Sequence, residues 1–266
     1  MATANETSKD NQPKFKKGTN KIVCKKRKIL CICIITLALL FMGFSYFLGK
    51  QVVAGSTQLV TNENTSNVPD KSWIEEDFSA KYEIEKISLT STFDGHIIPA
   101  DFIYSTDRHR NIVIMVHGLG GNRYSNYHVA ELFLENGYNV ITYDQRSSNE
   151  NTAEKTTFGY WEKFDLIDYI DFAKEIAPEK NIGVWGRSFG GATAIQAAAN
   201  IQIPSLIINS KADTLTPYFM GKEIYDNINC SKKSLWTVSD CEHIEMWEKH
   251  NAEYRSNVLD FLQKID

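Results

Sequence analysis

The hydrophobic positions of this chain fall into two regimes. Ile29 to Leu48 is an unbroken run of 20 uncharged residues, and a helix of that length rises about 30 Å, the thickness of a bilayer's hydrocarbon core. From about residue 80 the pattern becomes regular and short-ranged. Tyr82 to Leu89 alternates polar and apolar positions, as a half-exposed strand does. Phe93-Asp94-Gly95-His96 is a turn signal, after which Ile97 to Tyr104 can return antiparallel. Ile112 to Val116 is continuously apolar, the pattern of a parallel strand buried on both faces. A helix over 126–135, stopped by Gly137, precedes a buried strand at 140–143 and a helix over 161–176. A strand at 182–185, a small-residue helix at 191–199 and a strand at 205–209 follow. A helix near 217–228, a strand at 235–238 and a terminal helix near 245–264 complete the set. An antiparallel start followed by strand–helix alternation predicts a three-layer α/β domain with a mostly parallel sheet, whose ligands bind beyond the carboxyl ends of the strands.

Charge divides the chain in the same way. Residues 1–28 hold nine Lys/Arg against Glu6 and Asp10, while the remainder holds 20 basic and 31 acidic residues. An acidic folded part disfavours nucleic acid as its partner. Lys25-Lys26-Arg27-Lys28 precedes the apolar run and only Lys50 lies just beyond it. The positive-inside rule then keeps the N-terminus cytoplasmic and turns the rest outward. The expected division is a basic cytoplasmic tail (1–28), a transmembrane helix (29–48), an extracytoplasmic linker (49–79) rich in Thr, Asn, Ser and Val, and the α/β domain (80–266). A cleaved signal peptide is the competing reading, since Val52-Val53-Ala54 offers small residues at a cut site. The length of the run favours an anchor. Cys24, Cys31 and Cys33 border or enter the span and read as apolar filler. Cys230 and Cys241 fall in the outward domain, where a disulfide is permitted, and whether they pair is open. No metal-ligand spacing appears among the cysteines and the six histidines.

Chemistry concentrates at strand ends. Gly186-Arg187-Ser188-Phe189-Gly190 joins a strand directly to a helix, as a nucleophile elbow does. Serine needs a base to remove its proton and an acid to hold that base's tautomer. His243 follows the last strand by a few residues and is the candidate base, while His250 and His128 read as helix residues. Asp213, four residues after the strand 205–209, is the favoured acid. Its alternative role is to cap the helix near Pro217, Asp144 at the end of another strand is its main rival, and Asp240 reads as a turn residue. His117-Gly118-Leu119-Gly120-Gly121-Asn122 follows a buried strand, so the amides of Leu119 and Phe189 are candidate donors to an oxyanion. The glycine loop lacks the Lys-Ser/Thr ending of a P-loop and the Gly-x-Gly-x-x-Gly of a dinucleotide site, and no cofactor is expected.

Residues 82–262 resemble the α/β-hydrolase superfamily. His117 to Arg123, Tyr143-Asp144-Gln145-Arg146 and the Gly-Arg-Ser-Phe-Gly-Gly elbow look like bacterial single-pass serine hydrolases related to the serine aminopeptidase and Bem46-type branches. The resemblance implies Ser188 as nucleophile, His243 as base, Asp213 as orienting acid and Leu119 with Phe189 as oxyanion donors. It also implies that Asp144 and Arg146 support loops near the site. A small-molecule or lipid-like acyl substrate is the expected partner, and the oligomeric state is not legible. Dehalogenases of this fold resemble one another in placing an aspartate at the elbow, against which Ser188 stands. The chain departs from the family in one respect. A further strand, and commonly a lid, normally separates the elbow helix from the acid-bearing strand, whereas Asp213 follows Ser188 by only 25 positions here. The expectation is a sheet closed up with one strand fewer. A catalytically weak or inactive surface module on the same fold is the alternative function.

Overall fold

The computed structural model describes residues 17–57, 69–106, 111–198 and 203–265, with side chains from residue 25 onward. Most of the basic tail, His109 and residues 58–68 of the expected linker lie outside the described residues. The chain divides into two units at Gly55/Ser56. The first is built on helix α1 (Lys17–Thr57), which contains the predicted apolar run and extends past both its ends. Its stretch Lys25–Thr57 is long and apolar enough to cross a membrane.

The second unit begins earlier than residue 80. A π-helical turn at Trp73–Phe78 leads into α2 (Ser79–Lys81), and the buried ring of Phe78 stacks on Tyr127 with centroids 4.4 Å apart. Five strands follow in the sheet order β1-β2-β4-β3-β5. β1 (Glu83–Thr90) and β2 (Ile97–Tyr104) form the expected antiparallel pair. β2 runs antiparallel to β4 (Asn139–Tyr143), and β3 (Ile112–Val116) lies parallel to both β4 and β5 (Ile182–Gly186). β3 and β4 are buried along their whole length, as their uninterrupted apolar sequences require.

Alternate residues of these strands feed two cores. Val113, Met115, Val140 and Ile103 pack on one face with α3 (Tyr127–Glu135) and α8 (Asn251–Ile265). Ile112, Ile114, Ile141 and Tyr143 pack on the other with α4 (Glu162–Ile176) and α5 (Phe189–Ala197). Each such buried aliphatic side chain contributes about 1.5–3 kcal/mol relative to exposure. This is the predicted three-layer α/β architecture. The terminal helix is broken in two at His250, into α7 (Met246–Lys249) and α8. α6 (Tyr218–Asn227) connects the last two strands.

The sheet is not closed up as expected. β6 (Ser205–Ser210) and β7 (Lys233–Val238) pair parallel to each other as a separate two-stranded sheet, and among the described residues β5 pairs only with β3. Among the described residues no strand lies between β5 and β6. α8 packs on strands of both sheets through Tyr254. Trp185 on β5 donates from Nε1 to the Tyr254 hydroxyl at 2.9 Å, and the Tyr254 ring meets Trp236 of β7 edge-on at 6.0 Å. One helix thus covers the same face of both sheets.

Candidate active site

The elbow is built by the absence of two side chains. A Cβ on Gly190 would lie 2.1 Å from the Val116 carbonyl oxygen, and one on Gly186 would lie 2.5 Å from that of Gly190. Only glycine lets the start of α5 sit this close to the ends of β3 and β5. The turn forces Ser188 to φ 54°, ψ −121°, a conformation that costs an L-residue about 1–3 kcal/mol and clusters at functional sites. The serine is thereby presented at the carboxyl end of the sheet, immediately before α5.

The three predicted triad members meet there. Ser188 Oγ lies 2.8 Å from His243 Nε2, and His243 Nδ1 lies 2.8 Å from Asp213 Oδ2. The tautomer whose Nδ1–H donates to the carboxylate turns the Nε2 lone pair to the Ser188 hydroxyl. Asp213 is held by its own loop: its Oδ1 accepts from the amides of Leu215 (2.9 Å) and Thr216 (2.8 Å), and its Oδ2 from the Thr216 hydroxyl (2.5 Å). Burial pushes the carboxyl up, but the Thr216 and His243 hydrogen bonds outweigh it and hold the group below its ordinary range. Thr216 Oγ1 also lies 3.2 Å from His243 Nδ1. The Asp-x-x-Thr spacing, an Asx-type turn signal, marks this residue, which sequence reasoning did not single out.

Leu119 sits on the loop after β3, and Phe189 is the first residue of α5. Neither amide donates to an acceptor among the described residues, and the first amides of a helix have no intrahelical partner. The loop beneath Leu119 is clamped by buried polar groups. His117 is buried, with Nδ1 2.7 Å from the Gly118 carbonyl, while its Nε2 accepts from the Gln145 amide at 3.0 Å. Burial pushes the His117 imidazole down to about 4 against the raising effect of its Gly118 hydrogen bond, with a smaller push from the nearby Arg187, so it is neutral. Gln145 also donates from Nε2 to the His117 carbonyl and accepts from Thr193 of α5. One side chain thus ties β4, the Leu119 loop and the elbow helix together. Gln145 occupies the unspecified position of Tyr-Asp-x-Arg, where its type carries no signal.

The rivals are committed elsewhere. Asp144 accepts from the Arg123 amide (2.9 Å), the Arg123 guanidinium (2.5 Å) and Asn149 (2.9 Å), which fixes the turn following the glycine loop. Arg123 reaches Asp101 and Glu150 as well. Arg146 spans Asp94 and Asp165. Asp240 shapes its turn through His250, at 2.9 Å, and His128 is exposed beside the Trp73 ring. Cys230 and Cys241 are both free thiols, so that pair is not bridged. Ligand atoms of Asp240, Cys241 and His250 lie within 4.8 Å of one another, but the Asp240–His250 hydrogen bond already occupies two of the three. Tyr127 is core, whereas Phe158 is exposed and meets the Phe189 ring edge-on at 6.0 Å. Leu119, Leu215 and Phe219 add further exposed apolar surface on the segments that carry the site.

Fold, elbow and converging loops define a class, and the chain belongs to the α/β-hydrolase superfamily. The model of the alpha/beta hydrolase fold matches residues 111–203. An uncharacterized protein of Bacillus subtilis, YqkD, is 33% identical over 221 aligned positions, covering 59% of this chain and 72% of that protein. Those positions contain about 157 residues of this chain, so about 64 of them face gaps here. The quorum-quenching protein AidA of Acinetobacter baumannii is 30% identical over 128 positions, 44% of this chain and 41% of its own length. Among solved structures, the Pyrococcus furiosus esterase Pf2001 has a TM-score of 0.65 at 21% identity, covering 74% of this chain and 97% of that one. A Xanthomonas campestris a/b serine hydrolase without lid, XC6422, has a TM-score of 0.57 at 17% identity, covering 68% of this chain and 94% of its own.

Proposed function

We propose that this chain is a membrane-anchored serine hydrolase whose domain acts outside the cytoplasm on an ester, thioester or amide. The observation that carries the proposal is the relay from Ser188 through His243 to Asp213, with 2.8 Å at each step. His243 Nε2 takes the Ser188 proton as Oγ attacks the acyl carbon. The oxyanion accepts hydrogen bonds from the Leu119 and Phe189 amides, and removing one such donor in other enzymes costs about 10²–10³ in rate. The tetrahedral species collapses to an acyl-enzyme, and His243 delivers its proton to the departing alcohol, thiol or amine. Water, deprotonated by the same imidazole, then releases the acid and regenerates Ser188. Asp213 stays ionised throughout and stabilises the imidazolium.

Exposed Leu119, Phe158, Leu215 and Phe219 support an acyl substrate with an apolar chain, and esterases among the structural neighbours support carboxylesterase or lipase-like chemistry over peptidase chemistry. Lys25 to Lys28 before the apolar stretch of α1 support a cytoplasmic N-terminus. The test is turnover of p-nitrophenyl esters, acetate to decanoate, by the full-length chain in nonionic detergent. Ser188→Ala and His243→Ala should each lower kcat by about 10³-fold or more. Undiminished turnover by Ser188→Ala rejects the nucleophile. The split sheet favours a second reading, a non-catalytic surface module, and absence of turnover of esters, thioesters and anilides by the folded wild-type chain would establish it.

A further inference from the structure

The open interval between β5 and β6 carries an inference that does not depend on the chemistry of Ser188. Among the described residues both strands present an unpaired edge to it, since β5 pairs only with β3 and β6 only with β7. Buried backbone groups are almost always hydrogen-bonded, and an open strand edge is a template for another strand. The two edges run the same way, because Ser188 after β5, Asp213 after β6 and His243 after β7 converge at one end. The residues flanking the interval have the composition of a sheet interior without its burial. β3 and β4 are wholly buried, yet Val184 on β5 is 37% exposed and Ser205 to Asn209 are only half-buried. Both faces are apolar: Trp185, Leu206 and Ile208 belong to the core beneath α8, while Ile182 and Ala194 belong to the core beneath α4 and α5. The excess of about 64 positions in the Bacillus relative indicates that this chain lacks residues that the relative holds in cis.

We propose that the slot between β5 and β6 binds one extended, uncharged, mostly apolar segment of another polypeptide, which lies parallel to both strands and joins the two sheets into one. Five to six residues match the lengths of β5 and β6, and a strand paired on both sides sets its two neighbours about 10 Å apart, twice the spacing of paired strands. β-branched side chains on both faces of the segment suit the two apolar walls. Main-chain hydrogen bonds to two edges supply affinity, and the walls supply selectivity.

The test uses full-length Ser188→Ala chain in nonionic detergent, so that a failure of the proposed hydrolysis leaves it unaffected. The probe is the peptide acetyl-Lys-Val-Ile-Val-Ile-Val-Lys-amide, with a control N-methylated at its three valines, which keeps the side chains and removes the amide donors along one edge. Amide hydrogen exchange is followed in segments 182–186 and 205–210. The probe should slow exchange in both segments by about tenfold or more, and the N-methylated control should not. Val184→Asp, placed at an exposed wall position, should abolish the effect while leaving far-UV circular dichroism unchanged. Three results overturn the proposal. Full protection of both segments before peptide is added would mean that the strands close on each other. Protection that rises with protein concentration, together with a dimer by light scattering, would mean that a second copy fills the slot. Equal effects of probe and control would mean apolar adsorption without strand pairing.

Discussion

Acidification from pH 7.5 to 5 should cost this protein about 2 kcal/mol at one side chain, His117, from the difference between its folded and unfolded proton affinities. The imidazole is buried, engaged at both ring nitrogens, and pushed down from 6.5 to about 4. Its folded-state affinity for a proton is therefore the lower one, and the unfolded chain protonates first. The stability tied to its neutral form is complete above about pH 6.5 and is lost as pH falls towards 4, where the loss reaches about 3 kcal/mol. Urea unfolding of the full-length chain at pH 7.5, 6 and 5, beside His117→Gln, isolates this contribution. The other histidines titrate alike in both proteins and cancel in the difference. Glutamine can accept from the Gln145 amide but does not titrate. The variant should be less stable at pH 7.5 and should lose about 2 kcal/mol less than the wild type on reaching pH 5. Equal losses in the two proteins would refute the reasoning, because His117 would then titrate alike folded and unfolded.

The remaining predictions concern the elbow and the acid. Gly190→Ala places a methyl 2.1 Å from the Val116 carbonyl oxygen and should destabilise the domain by about 3 kcal/mol or more. Gly118→Ala, whose Cβ meets nothing nearer than 3.5 Å, should cost less than about 1 kcal/mol; thermal melts of the two compare them. Thr216→Val removes hydroxyl contacts to Asp213 and His243 and should lower kcat about tenfold with little change in KM. Asp213→Asn should lower kcat by about 10³–10⁴ through the wrong imidazole tautomer, and an unchanged kcat would return Asp213 to the role of a helix cap.

Strand identities were legible wherever one pattern had one physical cause. The unbroken apolar runs at 112–116 and 140–143 are strands buried on both faces, and glycines at 186 and 190 are required by backbone approach. The meeting of Ser188, His243 and Asp213 was legible because each follows a strand at the carboxyl edge, where such sheets gather their loops. Pairing was not legible in the same way. The runs at 182–185 and 205–209 read as strands, and nothing in either one tells whether it meets the other. Pairing is decided by packing between segments far apart in the chain, such as Trp185, Tyr254 and Trp236, and not by either run alone. Gln145 was hidden for a similar reason, since its partners lie on the loop after β3 and on α5 and its identity alone names neither. The early start of the domain was missed because the turn at Trp73–Phe78 has polar neighbours and no strand or helix period, while Phe78 still reaches the core.

The central claim, that Ser188 is the nucleophile activated by His243, is tested most directly by the site of covalent modification. Full-length chain in detergent is treated with a fluorophosphonate, digested, and mapped by mass spectrometry. The account predicts a single stoichiometric adduct on Ser188, slowed by orders of magnitude in His243→Ala and absent in Ser188→Ala. An unmodified Ser188 in folded wild-type protein, or an adduct that forms equally fast without the imidazole, would contradict it.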